Sequence, residues 1–159
     1  MQRPAVDKRE WTAVAALVVA ALALRLWKLD APLWYDEIMT LVHFVRQPFS
    51  QLIADYSSFN NHPLYSLQAK LAVGLFGEQA WALRLPSMLF GVASVWALWR
   101  LARTALGPGE SLLAAALQAL SYHHIWFSQN ARGYTELMFW CLLALLLFVQ
   151  GQGSRSWKL

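Results

Sequence analysis

The stretch Leu85-Pro-Ser-Met-Leu-Phe-Gly-Val-Ala-Ser-Val-Trp-Ala-Leu-Trp-Arg-Leu101 decides the fold class. It carries no charged residue before Arg100, and its length is close to that of one membrane crossing. Pro86 stands near its start, where the first turn of a helix tolerates proline. We therefore predict a membrane-spanning helix over about residues 85–102.

Three further apolar stretches predict crossings at about residues 11–28, 111–127 and 136–150. The first has Trp11 and Trp27 at its ends, as interfacial anchors do, and Arg25 is expected to extend its side chain to the lipid headgroups. The chain is 58% hydrophobic and 14% charged, which excludes a disordered chain and disfavours a soluble domain of this size. The sequence predicts an all-α polytopic membrane protein with about four transmembrane helices.

A long polar loop, residues 29–84, separates the first two predicted spans. Apolar residues recur at helical spacing between residues 38 and 53, which predicts two short helices interrupted near Pro48. After a turn-prone segment at residues 57–61, Pro63 can begin a third amphipathic helix. Because this helix is short and carries Lys70, we expect it to lie on the bilayer surface rather than to cross it.

The charges support this topology. Four spans place both termini and the loop between the second and third spans on one side, which we assign to the cytoplasm by the positive-inside rule. The basic residues on that side are Arg3, Lys8, Arg9, Arg100, Arg103, Arg155 and Lys158. Most of the acidic residues fall in the outer loop, namely Asp30, Asp36, Glu37, Asp55 and Glu78. The outer face would be periplasmic or extracellular.

The adjacent carboxylates of Asp36 and Glu37 are the strongest candidates for chemistry. They could simply begin a helix, where negative charge offsets the helix dipole, and residue type alone does not decide between the two interpretations. The predicted topology brings further polar side chains to the same outer face: His62, Lys70, His123, His124, Arg132, Tyr134 and Glu136. Taken alone, Arg132 could equally be an interfacial anchor, and His62 more often caps a helix than acts in catalysis.

The combination is more specific than its members. A carboxylate can accept the proton of an acceptor hydroxyl, while a cation stabilises a leaving phosphate. Arginine suits phosphate because its guanidinium offers two parallel N–H groups. The sequence therefore indicates transfer from a lipid-linked phosphate donor at the membrane surface.

Five segments, in order along the chain, resemble the GT-C glycosyltransferases of the protein mannosyltransferase and aminoarabinose transferase superfamily. They are Arg25-Leu-Trp-Lys-Leu29, Pro32-Leu-Trp-Tyr-Asp-Glu37, Asn61-His-Pro-Leu-Tyr65, Phe76-Gly77 with Arg84-Leu-Pro-Ser87, and Ser128-Gln-Asn-Ala-Arg-Gly-Tyr134. The last more often reads Ser-Gln-Glu-Ala-Arg in the family, so Asn130 puts a carboxylate role for that loop in doubt.

The resemblance implies an inverting transfer of a sugar from a polyprenyl-phosphate donor to an acceptor hydroxyl on a protein, lipid or polysaccharide. Asp36 would be the general base and Glu37 would support it or help to bind a cation. Arg132, Lys70, His62 and Tyr134 would contact the substrate. Some relatives use a divalent cation and others do not, so the resemblance assigns no metal site. Residues 1–159 would form the N-terminal part of a longer GT-C transmembrane domain, with little activity alone.

Two other function classes remain possible from the residues. The first is a small non-catalytic membrane protein that binds lipid or a partner through its surface helices. The second is part of a transporter, but the predicted spans carry almost no ionisable residues away from their ends, which disfavours it. Nucleic acid is not an expected partner, because basic residues do not cluster with aromatic ones.

Overall fold

The computed structural model describes residues 6–54, 58 and 61–152, and within them all regular structure is helical. The eight α-helices of these residues are α1 (Lys8–Leu26), α2 (Tyr35–Thr40), α3 (Phe49–Ala54), α4 (Pro63–Phe76), α5 (Ala80–Ala102), α6 (Pro108–Leu120), α7 (Tyr122–Ser128) and α8 (Tyr134–Gln152). A π-helix, Leu41–Val45, continues α2. The all-α prediction is confirmed. Arg3, Asp55, Arg155, Lys158 and most of the predicted turn at residues 57–61 lie outside the described residues.

Helix α5 is the centre of the fold, and it contacts α1, α4, α6, α7 and α8. Small residues on its surface, including Gly91, Ser94 and Ala97, are fully buried. Small side chains let helix backbones approach closely, which is how helices associate in membranes. One apolar core joins α1, α5 and α6 around the buried indole of Trp99.

Within the described part of the chain, two helices are long and apolar enough to cross a membrane, Ala80–Ala102 and Tyr134–Gln152. Helix α1 coincides with the first predicted span, but it begins with the charged run Lys8-Arg-Glu10. The third predicted span is divided between α6 and α7, because Ser121 is extended and its hydroxyl caps α7 by accepting a bond from the backbone N–H of His124. The number of crossings remains a prediction.

Helix α5 begins at Ala80, earlier than the sequence predicts, so Pro86 lies inside it rather than in its first turn. The carboxylate of Asp30 accepts a bond from the Trp81 backbone N–H at the new N-terminus. A negative side chain at this position stabilises a helix start. Asp30 and Trp81 are 51 residues apart in the sequence, so the local pattern of apolar residues does not predict this contact.

The predicted helices of the outer loop are present. Helix α2 with its π-helical extension and helix α3 flank Pro48, and Pro63 occupies the first turn of α4. The phenol of Tyr65 donates a 2.6 Å bond to the Leu83 carbonyl, which ties α4 to α5. This loop is therefore an ordered part of the fold in its described residues.

Arg25 does not extend to the headgroups as expected, and its side chain is fully buried. Its guanidinium donates to Ser128 Oγ at 3.1 Å, to the carbonyls of Ala21 and Ala119, and to His124 Nδ1 at 2.6 Å. Since arginine can only donate, Nδ1 of His124 accepts and its proton resides on Nε2. The expectation was wrong because most of these partners lie about a hundred residues away in sequence.

Gly91→Ala should destabilise the fold, because the added Cβ would lie 2.7 Å from the Cβ of Ser128, where α5 and α7 meet. Overpacking of this kind costs about 1–3 kcal/mol. Thermal unfolding followed by circular dichroism in detergent micelles measures the loss. Gly74→Ala is the matched control, because no atom lies within 4 Å of its added Cβ. An unchanged melting temperature for Gly91→Ala would contradict the close approach of α5 and α7.

Candidate active site

A buried ion pair between Glu37 and Arg84 holds the site together. Glu37, in the first turn of α2, is fully buried, and Arg84 on α5 is 4% exposed. The guanidinium donates through Nε to Oε1 at 2.7 Å and through Nη2 to Oε2 at 2.6 Å. This two-point geometry is the strongest form of arginine–carboxylate contact.

The other donors of Arg84 bind the chain that leads into α2. They reach the carbonyl oxygens of Leu29 and Ala31 through Nη1, and of Pro32 through Nη2. All five N–H groups of the guanidinium therefore have acceptors. Backbone turn bonds, from Leu29 N–H to the Leu26 carbonyl and from Ala31 N–H to the Lys28 carbonyl, and the Arg84 side chain together fix the path of residues 29–32.

Glu37 also accepts two backbone bonds. The Ala131 N–H donates to Oε1 at 2.8 Å, and the Trp34 N–H donates to Oε2 at 3.2 Å. The second bond is the one a glutamate makes when it reaches back to the residue that caps its helix. The Glu37 carboxylate thus joins the first outer loop, helix α5 and the loop that carries Arg132.

Asp36 lies beside Arg132, with 3.8 Å between Asp36 Oδ2 and Arg132 Nη1. The Asp36 side chain is 41% exposed, whereas that of Arg132 is only 10% exposed. Among the described residues, Nε and Nη1 of Arg132 are buried and have no hydrogen-bond partner. The structure therefore places Asp36, the predicted base, beside Arg132, the residue predicted to bind phosphate. Arg132 keeps hydrogen-bond donors that no described residue accepts.

Helix α5 also fixes the backbone of Arg132. The hydroxyl of Ser87 donates to the Arg132 carbonyl at 2.8 Å, and the Thr135 hydroxyl donates to the Ser87 carbonyl at 2.7 Å. These reciprocal bonds place the loop before α8 against the same turns of α5 that carry Arg84. The positions of Asp36 and Arg132 consequently depend on one helix.

His62 and Tyr134 lie on the other side of Arg132. The Tyr134 hydroxyl accepts a 3.3 Å bond from Arg132 Nη2, and the ring of His62 contacts that of Tyr134 edge-on at 5.5 Å between centroids. The buried Nε2 of His62 has no hydrogen-bond partner among the described residues. Burial, and secondarily the charge of Arg132, lowers the pKa of His62 below its ordinary value, so the ring is neutral at pH 7.

Lys70 is engaged elsewhere. Its ammonium donates to the carbonyl of Val45 at 2.8 Å and to that of Gln47 at 2.9 Å, where the π-helix ends. A cation at this position satisfies carbonyls that the helix leaves unpaired. The structure gives Lys70 a capping contact and none with Arg132, His62 or Tyr134, and its predicted contact with the substrate remains a prediction.

The residues present do not fit a divalent cation well. Both oxygens of Glu37 already accept from Arg84, and Asp36 faces Arg132. Within the described residues, no group of three His, Cys, Asp or Glu side chains is arranged to hold a metal ion. We assign no step to a cation.

The segment Arg84-Leu-Pro-Ser87 carries part of the family resemblance, but the sequence alone indicates no role for Arg84 or Ser87. An arginine at the start of an apolar span can either reach the interface or take a buried acidic or carbonyl partner, so the residue type alone indicates a candidate but does not decide. The partner of Arg84, Glu37, is 47 residues away, and the sequence offers no spacing that would link them.

Comparison with known proteins identifies the family. Residues 60–159, more than half of the chain, match the sequence model of the dolichyl-phosphate-mannose-protein mannosyltransferase family. The chain belongs to this family. Among curated proteins it is similar to one from Bacillus subtilis (strain 168) described as "putative mannosyltransferase YycA", with 32% identity over 87 residues. The alignment covers 54% of this chain and 13% of that relative. No solved structure gives a significant match.

The family match covers His62, Arg84, Arg132 and Tyr134, and it begins after Asp36 and Glu37. The acidic pair is connected to the matched region physically, through the contacts of Glu37 with Arg84 and Ala131. Together with the two apolar helices of sufficient length, the match identifies this mannosyltransferase-family chain as a membrane protein.

Arg84→Met should destabilise the mannosyltransferase-family chain strongly, because it leaves the Glu37 carboxylate buried without its partner. Removing one member of a buried ion pair costs about 3–5 kcal/mol. The control is Arg46→Met, which breaks the exposed pair of Arg46 with Glu78 and should leave the melting temperature almost unchanged. Thermal unfolding in micelles compares the two, and equal melting temperatures would contradict the structural role of Arg84.

Proposed function

We propose that this chain is part of an inverting glycosyltransferase that moves a sugar from a polyprenyl-phosphate donor to an acceptor hydroxyl. The observation that carries the proposal is the buried guanidinium of Arg132, whose Nε and Nη1 donate no hydrogen bond to any described residue and which lies beside Asp36 and close to His62. A buried charge whose donors are not satisfied is unfavourable by itself. An anionic ligand would supply the missing acceptors.

A phosphate is the anion that best suits these groups. Its oxygens can accept from Arg132, and the rings of His62 and Tyr134 are in contact where Arg132 also lies over Tyr134. The Nε2 of His62 has no hydrogen-bond partner among the described residues. Positive charge placed where a phosphate departs stabilises the transition state. Arg132 and His62 would therefore bind the donor phosphate, with Tyr134 fixing the orientation of both.

The reaction that follows is a single displacement. The acceptor hydroxyl gives its proton to the Asp36 carboxylate as its oxygen bonds to the anomeric carbon of the donor sugar. The bond from that carbon to the phosphate oxygen breaks, and polyprenyl phosphate leaves with the electron pair beside Arg132. Attack opposite the leaving group inverts the anomeric configuration.

Glu37 has a positioning role in this proposal. Its oxygens are occupied by Arg84 and by the backbone of Trp34 and Ala131, so it holds in place the helical turn that carries Asp36. Lys70 would stabilise the end of the π-helix rather than bind the donor.

The proposed reaction takes place on the outer face of the cytoplasmic membrane, periplasmic or extracellular. We infer four crossings, formed by α1, α5, α6 with α7, and α8, with both ends of the chain in the cytoplasm. The excess of basic residues on the opposite side supports this orientation. Because the relative from B. subtilis is several times longer, we also propose that residues 1–159 alone transfer little sugar.

Asp36→Asn in the complete gene product should reduce sugar transfer by a factor of about 10²–10⁴, the usual contribution of a general base. Transfer is measured in membranes supplied with a radiolabelled polyprenyl-phosphate sugar. The matched control is Asp30→Asn, since Asp30 lies in the same loop and binds only the Trp81 backbone in its described contacts. Transfer at the wild-type rate by Asp36→Asn would contradict the assignment and favour a non-catalytic protein that binds lipid.

Phosphate binding by the 159-residue chain should depend on Arg132 and, through His62, on pH. The probe is the methyl diester of farnesyl phosphate, whose charge is constant near neutrality, with affinity measured calorimetrically in nanodiscs. Arg132→Gln should lose about 1.5–3 kcal/mol of binding free energy, the range for a charged hydrogen bond. Lys70→Gln should lose nothing.

The sign of the pH effect follows from His62. Its pKa is low in the chain without ligand, because of burial and the charge of Arg132, and a bound anion opposes both effects and raises it. Binding therefore takes up a proton, and affinity should increase as the pH falls from 7.5 to 5.5. His62→Gln should bind with no such dependence. A wild-type affinity that is independent of pH would contradict the assignment of His62 to the phosphate site.

A further inference from the structure

A cleft separate from the groups assigned to the donor is lined in part by Glu37, the neighbour of Asp36 in the chain. Its volume is about 370 Å³, within the usual range for small-ligand sites. The cleft is lined mainly by Lys28, Trp34, Arg84, Trp126, Gln129 and Asn130. The proposed donor site does not extend into this cleft, because its lining does not include Asp36, Arg132, His62 or Tyr134.

Two tryptophans form the aromatic part of the cleft. Their rings meet at 66° with 5.6 Å between centroids, and both side chains are substantially exposed, Trp34 at 46% and Trp126 at 38%. The two rings form an apolar corner of the cleft. Trp126 in turn contacts Phe127, and Phe127 contacts Tyr134, each at 5.0 Å. A continuous series of rings therefore connects the cleft with the phosphate side.

The polar part of the cleft offers hydrogen bonds and one cation. The amide nitrogen of Asn130 donates to the Trp126 carbonyl, and no described residue donates to its amide oxygen. Lys28 holds an exposed side chain on a left-handed backbone with φ of 60°, a conformation that is uncommon for lysine. Glu37 and Arg84, at the base of the cleft, neutralise each other. The cleft thus presents ring faces, an amide and an ammonium, and no carboxylate without a partner.

The position of the cleft relative to Asp36 suits an acceptor. Asp36 and Glu37 are consecutive in α2, so their side chains point about 100° apart, and Glu37 is the one at the cleft. Asn130 and Arg132 flank Ala131, whose N–H binds Glu37. The cleft, on the Glu37 side, and Arg132, on the Asp36 side, are therefore joined through this contact. In an inverting displacement the acceptor attacks the anomeric carbon on the side opposite the departing phosphate, so the two substrates need separate binding sites.

We propose that this cleft binds a sugar residue of a carbohydrate acceptor and presents its hydroxyl to Asp36. The C–H face of a pyranose packs against aromatic rings, and its hydroxyls exchange hydrogen bonds with amides and ammonium groups. A peptide acceptor is the alternative, and a peptide ligand distinguishes it from a glycoside. The acceptor role rests on the proposed function, whereas sugar binding by the cleft can be measured independently of it.

Saturation-transfer NMR on the 159-residue chain in nanodiscs tests the proposal, with methyl α-D-mannopyranoside as the probe. Trp34→Ala and Trp126→Ala should each weaken binding about twofold to tenfold, as expected for the loss of one aromatic partner. Trp126→Phe, which retains a ring, should bind more tightly than Trp126→Ala and controls for misfolding. Trp11→Ala is the matched control, because Trp11 is similarly exposed and packs against Trp99 in a different part of the fold.

The outcomes separate the two proposals. Saturable glycoside binding that weakens only in the Trp34 and Trp126 variants supports the carbohydrate cleft. Absence of saturable binding, or equal binding by all variants, overturns it. Binding of an N-acetyl-threonine amide peptide in place of the glycoside, with the same dependence on Trp126, overturns the carbohydrate class in favour of a protein acceptor. Glycoside binding through Trp126 without binding of the farnesyl phosphate diester would contradict the proposed function and leave the cleft as a sugar site.

Discussion

The ion pair of Glu37 with Arg84 is the interaction on which the candidate active site depends. Removing two charges from water is costly, and a buried pair repays that cost only when every donor and acceptor is satisfied. Here the guanidinium has five acceptors and the carboxylate four donors. The pair therefore does more to select one conformation of the loops around it than to increase stability.

This arrangement explains how two adjacent carboxylates can have different environments. Glu37 is oriented inward by Arg84, and the helical turn that contains it directs Asp36 outward to Arg132. Each carboxylate is thus paired with a different arginine, Glu37 with Arg84 and Asp36 with Arg132. The same contacts explain the connection between Asp36 and the region matched by the family, which begins some twenty residues later.

The sequence predicted the elements of this structure better than it predicted their contacts. Pro63 marks the start of α4, and the apolar run after Arg84 identifies α5, because helix periodicity and proline geometry act locally. Arg25 was misjudged, since a lone arginine near the end of a span is usually exposed at the interface, and its buried partners His124 and Ser128 are distant in sequence. The closeness of Asp36 and Arg132 followed from topology and family resemblance. The dependence of both on Arg84 is visible only in the structure, because it runs through the contacts of Glu37.

Three buried arginines of the described residues illustrate how structural and functional charges can be told apart. Arg84 and Arg25 have their guanidinium groups surrounded by carbonyls, a carboxylate, a hydroxyl or an imidazole. Arg132 is similarly buried, yet two of its nitrogens have no hydrogen-bond partner among the described residues. A fold rarely retains such a group, because unsatisfied buried donors are destabilising. The incomplete contacts of Arg132, next to an exposed carboxylate, therefore favour a site whose remaining acceptors belong to a ligand.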